Sequence, residues 1–298
     1  MAYHVPALLD ECVEGLNIQP SGVYVDLTFG GGGHSKRILE ILEDGVLAAF
    51  DQDENAERNR PVDDRFLFFN QNFRFLKANL RYAGLEKIDG ILADLGVSFY
   101  QFDEPERGFS FRYPAQLDMR MNPGSALKAS DILNTYEAPQ LIKIFRDYGE
   151  IKNPGRLAGD IIDWRSREEL KDTTSLLKIL KRYAQPGKEN KFYARVFQAL
   201  RIEVNREMEF LKEMLMQSLE VLRPGGRMAV ITYHSLEDRL VKNFFRTGSF
   251  EGHEEKDFYG HSTSPFRLIN RKVIMPSKDE IEKNSRARSA RLRIAEKI

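Results

Sequence analysis

The run Val23-Tyr-Val-Asp-Leu-Thr-Phe-Gly-Gly-Gly-Gly-His34 constrains this chain more than any other stretch, because a buried-strand pattern passes through a glycine loop into an amphipathic segment. Such a junction sets backbone at the rim of a sheet, with Asp26 delivered there, and lets a ligand approach where any Cβ would collide. Further runs, Val46 to Phe50, Phe66 to Phe69 and Ile88 to Ala93, also read as strands, with helical periodicity after most of them. Strands alternating with helices predict a parallel sheet covered on both faces, an α/β doubly wound fold. The helix predicted over His34 to Leu42 begins at the glycines, so its free N–H groups point where a ligand would lie.

From about Arg107 to Arg201 strand patterns vanish, and short helical segments are split by Pro114, Pro123, Pro139, Pro154 and Pro186. This predicts a helical insertion after the fourth strand: a discontinuous core over 1–106 and 203–298 with an inserted domain over 107–202. One long helix is expected from roughly Tyr193 to Val221, stopped by Arg223-Pro-Gly-Gly226. A buried strand over Arg227 to Thr232 and a helix over Leu236 to Phe245 follow. The stretches Phe266 to Ile274 and Ala290 to Ala295 are expected as antiparallel edge strands.

Lys plus Arg and Asp plus Glu both number 45 in 298 residues, so no whole-molecule field draws the chain to nucleic acid, and any basic surface must be local. Cys12 stands alone, which excludes an internal disulfide and a cysteine-built zinc site. The five histidines, His4, His34, His234, His253 and His261, lack ligand spacing, so no metal is expected. No run of about eighteen apolar residues occurs, and the start lacks a basic stretch followed by an apolar one. A soluble cytoplasmic protein without a membrane partner is the expectation.

Dinucleotide enzymes space their loop G-x-G-x-x-G, whereas this chain reads Asp26-x-Thr28-x-Gly30-x-Gly32-Gly33, closer to the acidic-x-Gly-x-Gly-x-Gly loop of S-adenosylmethionine (SAM) enzymes. An NAD-dependent oxidoreductase stays open on this evidence, as does a non-catalytic RNA-binding factor that keeps the fold. Asp51 ends the second strand about twenty residues past the loop, where such sheets place an acid to accept ribose hydroxyls. An N-cap before Glu54 is its bland alternative, and Asp53 fits that role better. Phe73 suits either an adenine cover or the core. Asp94 closes the fourth strand, so it and Ser98 should face a transferable group, and a buried acid there needs a polar partner. Gln101 either binds cofactor or faces solvent. His234 invites a general-base reading, against a local cap in which Ser235 or Thr232 satisfies backbone N–H groups. Arg107, Arg112, Arg120, Lys152, Arg156, Arg165 and Arg167 interleave with Phe109, Phe111, Tyr113, Tyr148 and Trp164, and Arg286, Arg288, Arg291 and Arg293 gather at the carboxyl end. Cations among aromatic rings suit single-stranded RNA as well as an ordinary solvated surface.

The segments His4 to Glu11, Thr28 to Ser35, Lys87 to Ser98, Glu106 to Phe111, Leu117 to Met121, Phe197 to Ile202, His234 to Arg239 and Arg286 to Ser289 together resemble the bacterial small-subunit ribosomal RNA cytosine-N4 methyltransferase family of the RsmH (MraW) type. The resemblance covers nearly the whole chain. It implies a Rossmann-like class I SAM methyltransferase core with an inserted helical substrate-recognition domain, SAM as cofactor, and transfer to the exocyclic N4 of a cytidine in the decoding region. Cofactor contacts would fall on Gly32, Gly33, His34, Asp51, Phe73, Asp94 and Gln101, with Asp94 and Ser98 catalytic. The implied partner is small-subunit ribosomal RNA, presented single-stranded or as a flipped cytidine, and a homodimer stays open. Three places depart from the family pattern: Phe99-Tyr100 replaces Ser-Pro, Ile151 replaces an acid, and Lys191-Phe-Tyr-Ala-Arg195 replaces His-Pro-Ala-Thr-Arg.

Overall fold

A computed structural model describes residues 6–96, 105–254, 256, 258–259 and 263–298. The chain forms two compact units, one built from Met1–Gly96 and Met208–Ile298, the other from Val97–Glu207.

The first unit is a seven-stranded sheet of β1 (Val23–Asp26), β2 (Val46–Phe50), β3 (Phe66–Phe69), β4 (Ile88–Asp94), β5 (Leu222–Thr232), β6 (Phe266–Leu268) and β7 (Arg291–Lys297). Its order is β3-β2-β1-β4-β5-β7-β6. The first five strands pair in parallel, and β7 runs antiparallel against β5 and β6. Chain order reverses between β1 and β4, which opens the crevice where ligands bind in such sheets. Both faces are buried because side chains alternate along each strand. Val25, Leu27, Phe50, Ile91 and Val230 pack with residues of α3 (Leu76–Tyr82), α9 (Glu207–Val221) and α10 (Ser235–Thr247). Tyr24, Leu47, Ala49, Leu92 and Ile231 pack with α1 (Leu9–Leu16) and α2 (Gly33–Leu39). A near-continuous apolar strand is what a sheet covered on both faces demands.

The second unit is helical: α4 (Ala129–Thr135), α5 (Ala138–Asp147), α6 (Pro154–Arg165), α7 (Thr173–Leu180) and α8 (Glu189–Asn205) enclose Leu133, Phe145, Leu157, Ile161, Leu176 and Leu200. Two of the prolines act as helix starts, since Pro139 and Pro154 occupy first-turn positions of α5 and α6, where no N–H is missed.

Three elements differ from expectation. The helix expected over Tyr193 to Val221 is two helices, because Arg206 adopts a left-handed φ of 51° and donates to the Glu203 and Ile202 carbonyls. Asn205 ends α8 with its amide committed elsewhere: Oδ1 accepts from Met121 N, and Nδ2 donates to Met119 O and Arg201 O. The strand expected over Phe266 to Ile274 stops at Leu268. There the Asn270 side chain takes over the ladder, its Oδ1 accepting from Ile294 N and its Nδ2 donating to Leu292 O. β5 begins at Leu222 rather than Arg227, with Arg223, Pro224 and Gly225 exposed.

Candidate active site

The glycine loop is held from three sides. Asp26 does not reach the rim as expected; it is buried, with Oδ2 accepting from Ser35 Oγ at 2.7 Å and Oδ1 from Thr28 N at 3.1 Å. It thereby staples the end of β1 to the first turn of α2, and burial pushes its carboxyl up to about 6 against those two hydrogen bonds. Thr28 in turn accepts Asp94 N on its Oγ1 at 2.6 Å, tying the loop to the end of β4. Asn59 Nδ2 donates to Gly30 O at 2.9 Å.

The four glycines have different reasons to be glycine. Gly32 has φ +75° and a Cβ there would meet the Phe29 ring at 2.9 Å; at Gly33 a Cβ would lie 2.3 Å from Pro6 Cγ. Both are demanded by the chain's own backbone and packing. Gly31 is exposed and a Cβ there would meet nothing within 4 Å, while Gly30, at φ +50°, has only Thr28 O at 3.9 Å. Open space beside Gly30 and Gly31 fits a ligand's approach to bare backbone. Gly32 and Gly33, the cofactor contacts that the resemblance implies, are the next two residues and lead into α2.

His34 follows on α2, but its ring is buried, with Nε2 donating to Ala7 O at 3.1 Å. Burial lowers its pKa to about 4, so it is neutral, and its side chain is committed to the N-terminal segment. Asp51, at the end of β2, accepts Gly30 N on Oδ2 at 2.8 Å and Asp53 N on Oδ1 at 2.9 Å. Burial raises it to about 6, against those bonds. The N-cap of the following 3₁₀ turn is Asp53, which accepts Asn55 N, so Asp51 is free of that role. Asn72 Nδ2 donates to Gln52 Oε1 at 2.7 Å and joins the ends of β2 and β3. Phe73 begins the next short turn, half-buried on the sheet core.

Asp94 closes β4. Its Oδ1 accepts the Tyr233 hydroxyl at 2.8 Å, the polar partner that a half-buried acid at a strand end requires. Burial, then repulsion from Asp26 and Glu237, raises its carboxyl to about 7, against the Tyr233 bond. Tyr233 is itself raised well above its ordinary value by burial and by Asp94. Among the described residues nothing hydrogen-bonds the second oxygen, Oδ2. Tyr233 escaped sequence reasoning because its apolar ring reads as strand core; its position, one residue before His234 at the end of the central strand β5, was the available signal.

His234 is the N-cap of α10: Nδ1 accepts Glu237 N at 3.4 Å, while Glu237 Oε2 accepts the N–H groups of Tyr233 and His234. The cap is therefore His234 itself rather than Ser235 or Thr232. Ser98 and Gln101 lie outside the described residues. In the helical unit Arg107 and Arg120 donate to loop carbonyls and Arg165 to carbonyls at the end of α4, whereas Arg112, Lys152, Arg156 and Arg167 are exposed.

The MraW methylase family matches this chain over residues 1–298. The chain belongs to that family. Ribosomal RNA small subunit methyltransferase H of Bacteroides thetaiotaomicron is 56% identical over 298 residues, covering 100% of this chain and 98% of that protein. The proteins of the same name from Parabacteroides distasonis and Flavobacterium johnsoniae are both 55% identical, covering 99% and 100% of this chain and 98% and 99% of their own lengths. An rRNA methylase structure from Streptococcus thermophilus is 14% identical over 97% of this chain and 93% of its own, with a TM-score of 0.42. The cofactor of the family is SAM. Among the described residues, no helix is long and apolar enough to cross a membrane.

Proposed function

We propose that this chain transfers the methyl group of SAM to the exocyclic N4 of a cytidine in the decoding region of small-subunit ribosomal RNA, with Asp94 as the acceptor facing the amine. The observation that carries this reading is the Asp94–Tyr233 pair at the carboxyl end of β4, beside a loop whose Gly31 has no internal reason to lack a side chain.

Bound, SAM supplies an electrophilic methyl group on a positively charged sulfonium. Asp51 is placed to accept ribose hydroxyls on the lone pairs that Gly30 and Asp53 leave free, and Gly30 with Gly31 admits the cofactor against backbone. Tyr233 occupies one oxygen of Asp94 and fixes the carboxyl, so Oδ2 is the atom that accepts an N–H of the target amine. Orientation matters because the amine's lone pair is delocalised into the ring, and holding it in line supplies much of the rate. Ser98 is proposed as a second acceptor and Gln101 as a cofactor contact. The cytidine leaves its stack to reach the pocket, and the helical unit, with its exposed Arg112, Lys152, Arg156 and Arg167, recognises the flanking nucleotides.

The test is incubation with labelled SAM and unmodified small ribosomal subunits, followed by nucleoside analysis. N4-methylcytidine should form with the native chain and be lost with Asp94→Ala. Label on another base, or near-normal turnover by that variant, would overturn the reading.

A further inference from the structure

We propose that the cleft between α10 and the β6–β7 edge of the sheet unit is a docking groove for the phosphate backbone of the RNA. Lys242 and Arg246 of α10, Arg271 on the turn after β6, and Arg293 of β7 rim a cavity of about 90 Å³ floored by Phe245 and Leu268. Cofactor and drug-sized sites run to roughly 300 Å³ and above, so this space suits a phosphate-sized group.

Charge decides what enters. Among the described residues no acidic side chain lines the cleft. Asp238, close by, is engaged with Arg293 at 2.7 and 3.2 Å and with Arg291 at 3.4 Å, which orients Arg293. Lys242 and Arg271 make no hydrogen bond or ion pair among the described residues. That is unlike cations elsewhere on this unit, where Arg37 meets Glu40, Arg60 meets Glu57 and Arg223 meets Asp89. With Arg293 balanced by Asp238, Lys242, Arg246 and Arg271 remain around one cleft with no carboxylate partner among the described residues, a local positive field in a chain of zero net charge.

The geometry extends the site. Arg239, Lys242 and Arg246 recur at spacings of three and four and share one face of α10, so they form a row rather than a point. The Asn270 side chain, bonded to Ile294 N, Leu292 O and Lys272 O, pins the turn that carries Arg271. α10 starts where β5 ends, beside Tyr233, and Lys242 stands seven residues along it, roughly 10 Å from that start. The groove therefore lies within reach of an RNA whose target base sits at the rim. It rests on the RNA reading above and adds where the backbone is held.

The test compares the native chain with the double variant Lys242→Ala, Arg271→Ala in binding to unmodified small subunits and to naked small-subunit RNA across a salt series. Affinity should fall about tenfold near 0.1 M salt on both substrates, with a shallower slope of log affinity against log salt, because fewer counterions are released. SAM affinity should be unchanged, and Lys242→Arg with Arg271→Lys should restore binding. An unaltered slope, or a loss no larger than that of the control pair Arg81→Ala, Lys278→Ala, would overturn the proposal. A loss confined to whole subunits would point to an acidic protein surface, and a site that takes inorganic phosphate while RNA affinity stays native would point to a free anion; either also overturns it. If the native chain methylates no RNA, the functional reading fails; if it does and the variant binds normally, only the groove fails.

Discussion

Asp94 is a carboxyl whose environment resists ionisation, and its chemistry should follow pH accordingly. With its pKa raised from 3.8 to about 7, the unfolded chain ionises first as pH rises, so the stability that Asp94 contributes is present below about 4 and lost on the way to 7. Asp94→Asn cannot ionise. Its melting temperature should match the native protein near pH 4 and exceed it by several degrees at pH 8, as calorimetry at the two values would show. Tyr233 pulls the other way, since its hydrogen bond favours the ionised form. Tyr233→Phe should raise the midpoint of the pH–rate profile above 7, lowering transfer several-fold at pH 7 and restoring it near pH 9. A variant equally impaired at every pH would mean that Tyr233 serves packing alone.

The glycine loop shows why an element has to be taken apart residue by residue. Gly33→Ala forces a Cβ against Pro6 and should cost about 1–3 kcal/mol in chemical unfolding. Gly31→Ala meets nothing in the chain and should stay within about 0.5 kcal/mol, yet titration should show SAM affinity reduced at least about tenfold. The strands of this element family were legible from runs such as Val46 to Phe50, whose buried character leaves little alternative. Less legible was where side chains are diverted from their expected work. Asn205 and Asn270 end a helix and a strand by bonding backbone far away in sequence, and neither partner lies within a local window. Asp26 and His34 sat in the right motif, but their inward orientation depends on Ser35 and on Ala7, contacts that form only once α1 and α2 pack on the sheet.

At the scale of the molecule, binding energy is the clearest readout of the site. SAM at a hundred times its dissociation constant should stabilise the sheet unit by about 2.7 kcal/mol, a rise of roughly 5–10 °C in its thermal transition, while NAD at the same concentration should leave it unmoved. The sheet order carries a second consequence, for synthesis. β4 ends at Asp94 and its parallel neighbour β5 begins at Leu222, so the two central strands are separated by the whole helical unit. A ribosome adding about 5–20 residues per second needs on the order of ten seconds to cover that distance. Throughout that interval the nascent chain shows water an apolar strand with one unsatisfied edge, and a chaperone that shields it would be this enzyme's first visitor, before any nucleotide arrives.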